Sequence, residues 1–161
     1  MLRPERLDAP VADPMLARLA ESYRLLYGEE DPLSRNAEEF LPPTGLFLLA
    51  VLGGEAVGCG GYRRLDSEVV ELKRMYVEPE QRGRGVAKRL LARLEEAASA
   101  AGARVMRLET GARQPAAIRL YEAAGYARVA PWDPKVDFRW SVCFEKRLDA
   151  QRRRRPEYPP P

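Results

Sequence analysis

One stretch constrains the fold more than any other. Glu68–Val77 (EVVELKRMYV) is rich in β-branched and aromatic residues and reads as a strand. It runs through Glu78-Pro79-Glu80-Gln81 into Arg82-Gly83-Arg84-Gly85-Val86-Ala87-Lys88, where the pattern turns helical. Ala87, Leu90, Leu91, Leu94, Ala97, Ala98 and Ala101 form one apolar stripe, and Gly102 follows as a C-terminal cap. The first helical N–H groups have no internal partner, and the helix dipole adds partial positive charge there. Gly83 and Gly85 leave that backbone bare, while Arg82, Arg84 and Lys88 surround it with cations. Together they describe a cradle for a diphosphate. The plainer alternative is a structural turn with solvated arginines. Two nucleotide loops are excluded: a Walker loop needs Gly-Lys-Ser/Thr where this chain has Gly-Val-Ala, and a dinucleotide loop needs a further small residue at a spacing absent here.

The flanking segments alternate between the two periodicities. Asp13–Tyr27 reads as an amphipathic helix with Pro14 at its first turn, and the Pro-rich stretch after it as mostly loop. Leu46–Leu52 and Ala56–Arg63 form a hairpin around Gly53-Gly54-Glu55, and Leu65-Asp66-Ser67 turns into the Glu68–Val77 strand. Ala103–Thr110 is a further strand. A helix opens at Gln114-Pro115 and ends at Gly125, and Tyr126–Ala130 is extended. Phe138, Trp140, Val142 and Phe144 alternate with polar residues as a last half-buried strand. The expected class is α+β, a mixed α/β domain in which helices cover one sheet. Its bounds are 1–148, with 149–161 a disordered Arg/Pro-rich tail.

The chain has no His and only two Cys among its 161 residues. Ser-His-Asp and Cys-His nucleophile systems, imidazole zinc sites and Cys₄ cages are therefore out, and no metal is expected. Proton transfer falls to carboxylates, Tyr, Lys, Cys, backbone or water. Cys59 and Cys143 read as small core hydrophobes, and Trp140 as core, with Trp132 and Trp140 also candidates for the rim of an acceptor pocket. The net charge of +3 lies wholly in the tail: removing Arg152–Arg155 and Glu157 leaves 27 − 4 = 23 cations and 24 − 1 = 23 anions. The body thus offers no electrostatic footprint for nucleic acid. No stretch is long and apolar enough for a membrane span, and the expectation is a cytoplasmic protein.

Arg82-Gly83-Arg84-Gly85-Val86-Ala87 resembles the Arg/Gln-x-x-Gly-x-Gly/Ala signature of the GNAT superfamily, the acyl-CoA-dependent N-acyltransferases. Glu71–Val77 is similar to that family's fourth strand, QPAAIRLYEAAG (Gln114–Gly125) to its Asn-x-x-Ala-x-x-Leu-Tyr helix, and Cys143–Leu148 to its last strand. The resemblance covers Leu46 to Leu148 in the expected order. It implies a mostly antiparallel central sheet splayed between two parallel strands, here Glu68–Val77 and Ala103–Thr110, and flanked by helices. It also implies acetyl-CoA as acyl donor. Pantetheine would bond to the strand backbone around Met75, Tyr76 and Val77, and pyrophosphate to the amides from Gly83 to Lys88. Gln114 stands where the family has Asn, one methylene shorter.

The resemblance implies an N-acetyltransferase in which an amine attacks the thioester directly in a ternary complex. Tyr121 would protonate or hydrogen-bond the leaving thiolate, although periodicity alone also reads it as a core tyrosine. Glu71, eleven positions before Arg82, matches the general-base glutamate of the histone-acetylating members. It is equally readable as a structural carboxylate paired with Lys73, Arg74 or Arg107, with Glu109 as its substitute. The alternative class is a non-catalytic acyl-CoA-binding regulatory module, and an RNA partner acting through the tail is a third reading. Partners are an amine on a small molecule or a protein, and a homodimer is compatible with the family. The acceptor stays open between polyamine, amino acid, antibiotic and protein N-terminus.

Overall fold

Three apolar runs pair as an antiparallel meander: β2 (Gly45–Leu52), β3 (Glu55–Arg64) and β4 (Val69–Val77). The computed structural model describes residues 1–28, 36–134 and 139–148. β1 (Leu2–Pro4) lines the outer edge of β2, β5 (Val105–Gly111) runs parallel to β4, and β6 (Ala127–Val129) and β7 (Ser141–Arg147) complete the sheet. The order is β1-β2-β3-β4-β5-β7-β6, antiparallel everywhere except between β4 and β5. The helices are α1 (Asp13–Tyr27), α2 (Val86–Ala100) and α3 (Pro115–Ala123).

Alternation along the strands sends two sets of side chains to opposite faces. Leu48, Val70, Leu72, Met106, Leu108 and Phe144 meet Leu90, Leu91, Leu94 and Ala98 of α2 and Tyr121 of α3. On the other face Phe47, Leu49 and Cys59 pack with Met15 of α1 and with Phe40, which lies in a short 3₁₀ turn, Ala37–Phe40. Burying each such Leu or Phe contributes about 1.5–3 kcal/mol. Beyond α1, this second face turns polar: Glu71, Arg107 and Glu145 stand in register across β4, β5 and β7.

The mixed α/β class, the meander and the single parallel junction agree with the sequence. α1 has the predicted bounds, whereas β1 and the 3₁₀ turn were not predicted. Trp140 corrects the reading as core: it precedes β7 and is 44% exposed, with the Arg113 guanidinium stacked on its ring at 4.6 Å. Phe138 and the tail at 149–161 lie outside the described residues.

Candidate active site

β4 and β5 are in register at three positions only: Val69–Val105, Val70–Met106 and Glu71–Arg107. Beyond them, Leu72–Val77 of β4 and Leu108–Gly111 of β5 continue with no ladder between them. The sheet therefore opens in a V with Glu71 at its closed end. A bulge lies on the β4 side of the opening. Between the pairs Gly61–Lys73 and Cys59–Tyr76, two steps along β3 face three along β4. Arg74 falls inside the bulge at φ 64, the one non-glycine with positive φ among the described residues. A left-handed conformation costs a side-chain-bearing residue about 1–2 kcal/mol, and a bulge bends its strand and increases the local twist.

α2 starts beside the open end of β4. Gly83 and Gly85 adopt φ 74 and φ 76, values that favour glycine. Gly85 occupies the N-cap position, so no side chain caps the helix, and its first turn holds no acid. Nothing lies within 4 Å of where a Gly83 side chain would project. Val86 is buried and Ala87 half-buried against the core, while Arg84 and Lys88 are exposed. Bare amides, exposed cations and a first turn without an acid fit a diphosphate. Arg82 is engaged elsewhere: its Nε donates to the Val77 carbonyl at 3.0 Å and its guanidinium lies 5.9 Å from the Tyr76 ring. The Tyr76 hydroxyl donates to Glu78 at 3.3 Å, and Met75 packs against the α2 side of the core.

Gln114 stands at the N-cap of α3, beside Gly111. Tyr121, nearly two turns further on, is 5% exposed, with the Tyr126 ring edge-on at 5.8 Å and Phe144 at 5.9 Å. Burial alone raises its phenol above the ordinary tyrosine range. The hydroxyl therefore stays protonated. It suits hydrogen-bond donation to a sulfur anion better than full proton transfer, which is uphill toward a thiolate whose acid is near ~8.5.

On the α1 face, Glu71 is buried and held by two cations, Arg63 Nε at 2.9 Å and Lys73 Nζ at 3.3 Å. Arg63 also reaches Glu39 at 2.9 Å. Lys73 is a partner the sequence named, and Arg63 is not. Arg107 instead pairs with Glu145 at 2.8 Å and lies 5.5 Å from the Trp132 ring. Glu109, on the open part of β5, accepts a hydrogen bond from the Ser141 hydroxyl and has no cation at ion-pair distance among the described residues. Burial, then the Glu109 and Glu71 charges, push the Cys143 thiol up. Arg63, Glu39 and Ser141 carry no spacing signal in the sequence, because strand register brings Arg63 and Ser141 here and the 3₁₀ turn Ala37–Phe40 brings Glu39. Among the described residues, no group of three or more His, Cys, Asp or Glu is placed to hold a metal ion.

Residues 13–126 match the model of the acetyltransferase (GNAT) family. An IAA acetyltransferase of Azospirillum brasilense is 35% identical over 146 residues, 88% of this chain and 95% of that protein. An N-acetylaspartate synthetase of Danio rerio is 41% identical over 92 residues, 56% of this chain but only 33% of that longer relative. Among solved structures, one from Klebsiella pneumoniae assigned as an acyl-CoA N-acyltransferase is 30% identical, with TM-score 0.78 over 92% of this chain and 97% of that one. A GNAT acetyltransferase from Elizabethkingia anophelis with acetyl-CoA bound shares the fold at 18% identity, TM-score 0.68, over 91% and 97% of the two chains. With its splayed β4–β5 pair and its uncapped, glycine-fronted α2, the chain belongs to the GNAT acetyltransferase family.

Proposed function

We propose that this protein transfers an acetyl group from acetyl-CoA to an amine by direct attack in a ternary complex. One observation carries the reading: the β4–β5 opening and the uncapped start of α2 adjoin at the C-terminal end of β4. Acetyl-CoA supplies an acyl group activated as a thioester. The backbone of Met75–Val77, free of a β5 partner, binds and orients the pantetheine arm, and the amides from Gly83 to Lys88, with Arg84, take the diphosphate. Strand backbone near Val77 stabilises the oxyanion. Tyr121 donates a hydrogen bond to the departing sulfur.

Two carboxylates share the acceptor side, and their partners suggest different tasks. Glu71 is engaged by Arg63 and Lys73 and orients water at the vertex. Glu109, bonded among the described residues only to the Ser141 hydroxyl, receives the amine proton directly or through that water. One domain, residues 1–148, carries the activity. A reducing, cytoplasmic compartment suits Cys59 and Cys143, both buried and free. The test is acetyl-CoA consumption against a panel of amines. Turnover with at least one amine supports the reading, while tight binding of acetyl-CoA without turnover on any amine would establish a regulatory binding module instead.

A further inference from the structure

We infer that the acceptor is an amine that also carries a carboxylate, an amino acid, with Glu109 facing its ammonium group and Arg113 its carboxylate. The inference rests on the acetyl-transfer reading and adds the substrate class to it. It starts from a charge balance on the open α1 face. Glu71 is answered by Arg63 and Lys73, and Glu145 by Arg107. Among the described residues, Glu109 is left with a serine hydroxyl.

The matching cation is Arg113, in the connection between β5 and α3. Among the described residues no carboxylate lies at ion-pair distance from it, yet its guanidinium is fixed. Nη1 donates to the Leu26 carbonyl at 2.9 Å, and the Trp140 ring lies 4.6 Å away. Its backbone N–H donates to the Tyr27 hydroxyl at 3.1 Å. Stacking and one backbone bond leave other N–H groups of the planar fork for a carboxylate, the ligand its geometry matches.

Glu109 and Arg113 are neighbours through one dipeptide. Ser141 donates to Glu109, and Trp140, the residue before it, carries Arg113 on its ring. The Ala112 N–H donates to the Trp140 carbonyl at 2.9 Å, and Gly111 stands in register with Ser141. Between the two charges the strand carries Gly111, where a Cβ would fall 1.7 Å from the Tyr27 hydroxyl. The C-terminal end of α1 thus packs onto β5 at Gly111. An anion and a fixed cation on the two sides of one glycine complement a small molecule with both charges. A polyamine would meet Arg113 with like charge, and a protein N-terminus has no carboxylate beside its amine.

The test is calorimetric titration of glycine, L-alanine and L-aspartate, each against its α-amide, into the protein saturated with CoA. The acids are expected to bind at least about tenfold tighter than their amides, and Arg113→Gln is expected to erase that difference without changing acetyl-CoA affinity. Thermal melting of Arg113→Gln checks its fold, and Arg113→Lys is expected to restore part of the discrimination. Equal binding of acid and amide, equal weakening of both by Arg113→Gln, no amino-acid binding, or a preference for spermidine would each overturn the inference. Failure of the acetyl-transfer reading looks different: acetyl-CoA does not bind, or a bound amino acid is never acetylated.

Discussion

Cys59 donates its thiol hydrogen to the carbonyl of Arg74 at 3.2 Å, across the bulge that Arg74 holds at φ 64. The buried thiol thus satisfies a carbonyl that the interrupted ladder leaves over, on the strand that borders the β4–β5 opening. Two substitutions separate backbone strain from loss of the guanidinium. Arg74→Asn and Arg74→Val both remove the side-chain charge, but Asn tolerates the left-handed region and a β-branched residue does not. Denaturant unfolding is expected to find Asn more stable than Val by about 1–2 kcal/mol.

Lys146 on β7 donates to Glu95 of α2 at 2.7 Å, with both side chains at most 15% exposed. This ion pair ties α2 to the far half of the sheet. Lys146→Met leaves a buried carboxylate without its ammonium and is expected to cost about 3 kcal/mol, read from the midpoint of urea unfolding. Adding Glu95→Leu to the same chain should recover most of that loss, since an apolar replacement of a buried pair is often neutral.

Burial pushes the Cys59 thiol from its ordinary 9.0 up to about 12, and raises the phenols of Tyr121 and Tyr126 above their ordinary 10.0. All three stay protonated in the folded chain after their unfolded counterparts have ionised. Their contribution is intact below the ordinary values and is lost as pH rises toward the folded ones. Stability should begin to fall near pH 9, by about 1.4 kcal/mol per pH unit for Cys59, and more steeply above pH 10 as the tyrosines join. Unfolding midpoints between pH 7 and 11 check this, with Cys59→Ala flattening the limb below pH 10 and Tyr126→Phe the limb above it.

Kinetics separate the roles assigned to Tyr121, Glu109 and Glu71. Tyr121→Phe removes one hydrogen bond to the leaving sulfur and should lower kcat about 10- to 100-fold with KM for acetyl-CoA little changed. Glu109→Gln should lower kcat/KM for the amine by about 100-fold, the scale of general-base catalysis. Glu71→Gln removes the buried charge that Arg63 and Lys73 share, leaving Arg63 with Glu39 alone, so it should also lower the melting temperature, a loss that Glu109→Gln should not share.

The elements built on a regular period were legible in the sequence, and those fixed by distant partners were not. The α1 bounds follow from Pro14 and the stripe Met15, Leu16, Leu19, and the start of α2 follows from Gly85. β1 is not legible in the sequence because three residues ending in proline are too few to show alternation. The bulge at Arg74 carried no glycine to mark a left-handed position. Arg63 reaches Glu71 because β3 and β4 align them, a relation no spacing records. Trp140 reads as core in the sequence because alternation counts a tryptophan as buried, whereas Arg113 covers one face of it at the surface. Glu109 and Arg113 stand out only once the charges around them have found partners.

The most direct test of acetyl-CoA binding at the start of α2 is calorimetric titration of acetyl-CoA into wild type, Gly85→Asn and Gly85→Glu. Asn tolerates the backbone at φ 76 and brings no charge, while Glu sets a carboxylate against the amides of α2. The expected result is binding by wild type, retained within about tenfold by Gly85→Asn and weakened at least about a hundredfold by folded Gly85→Glu. No binding by wild type, or equal affinity in Gly85→Glu, would contradict a coenzyme diphosphate at this helix.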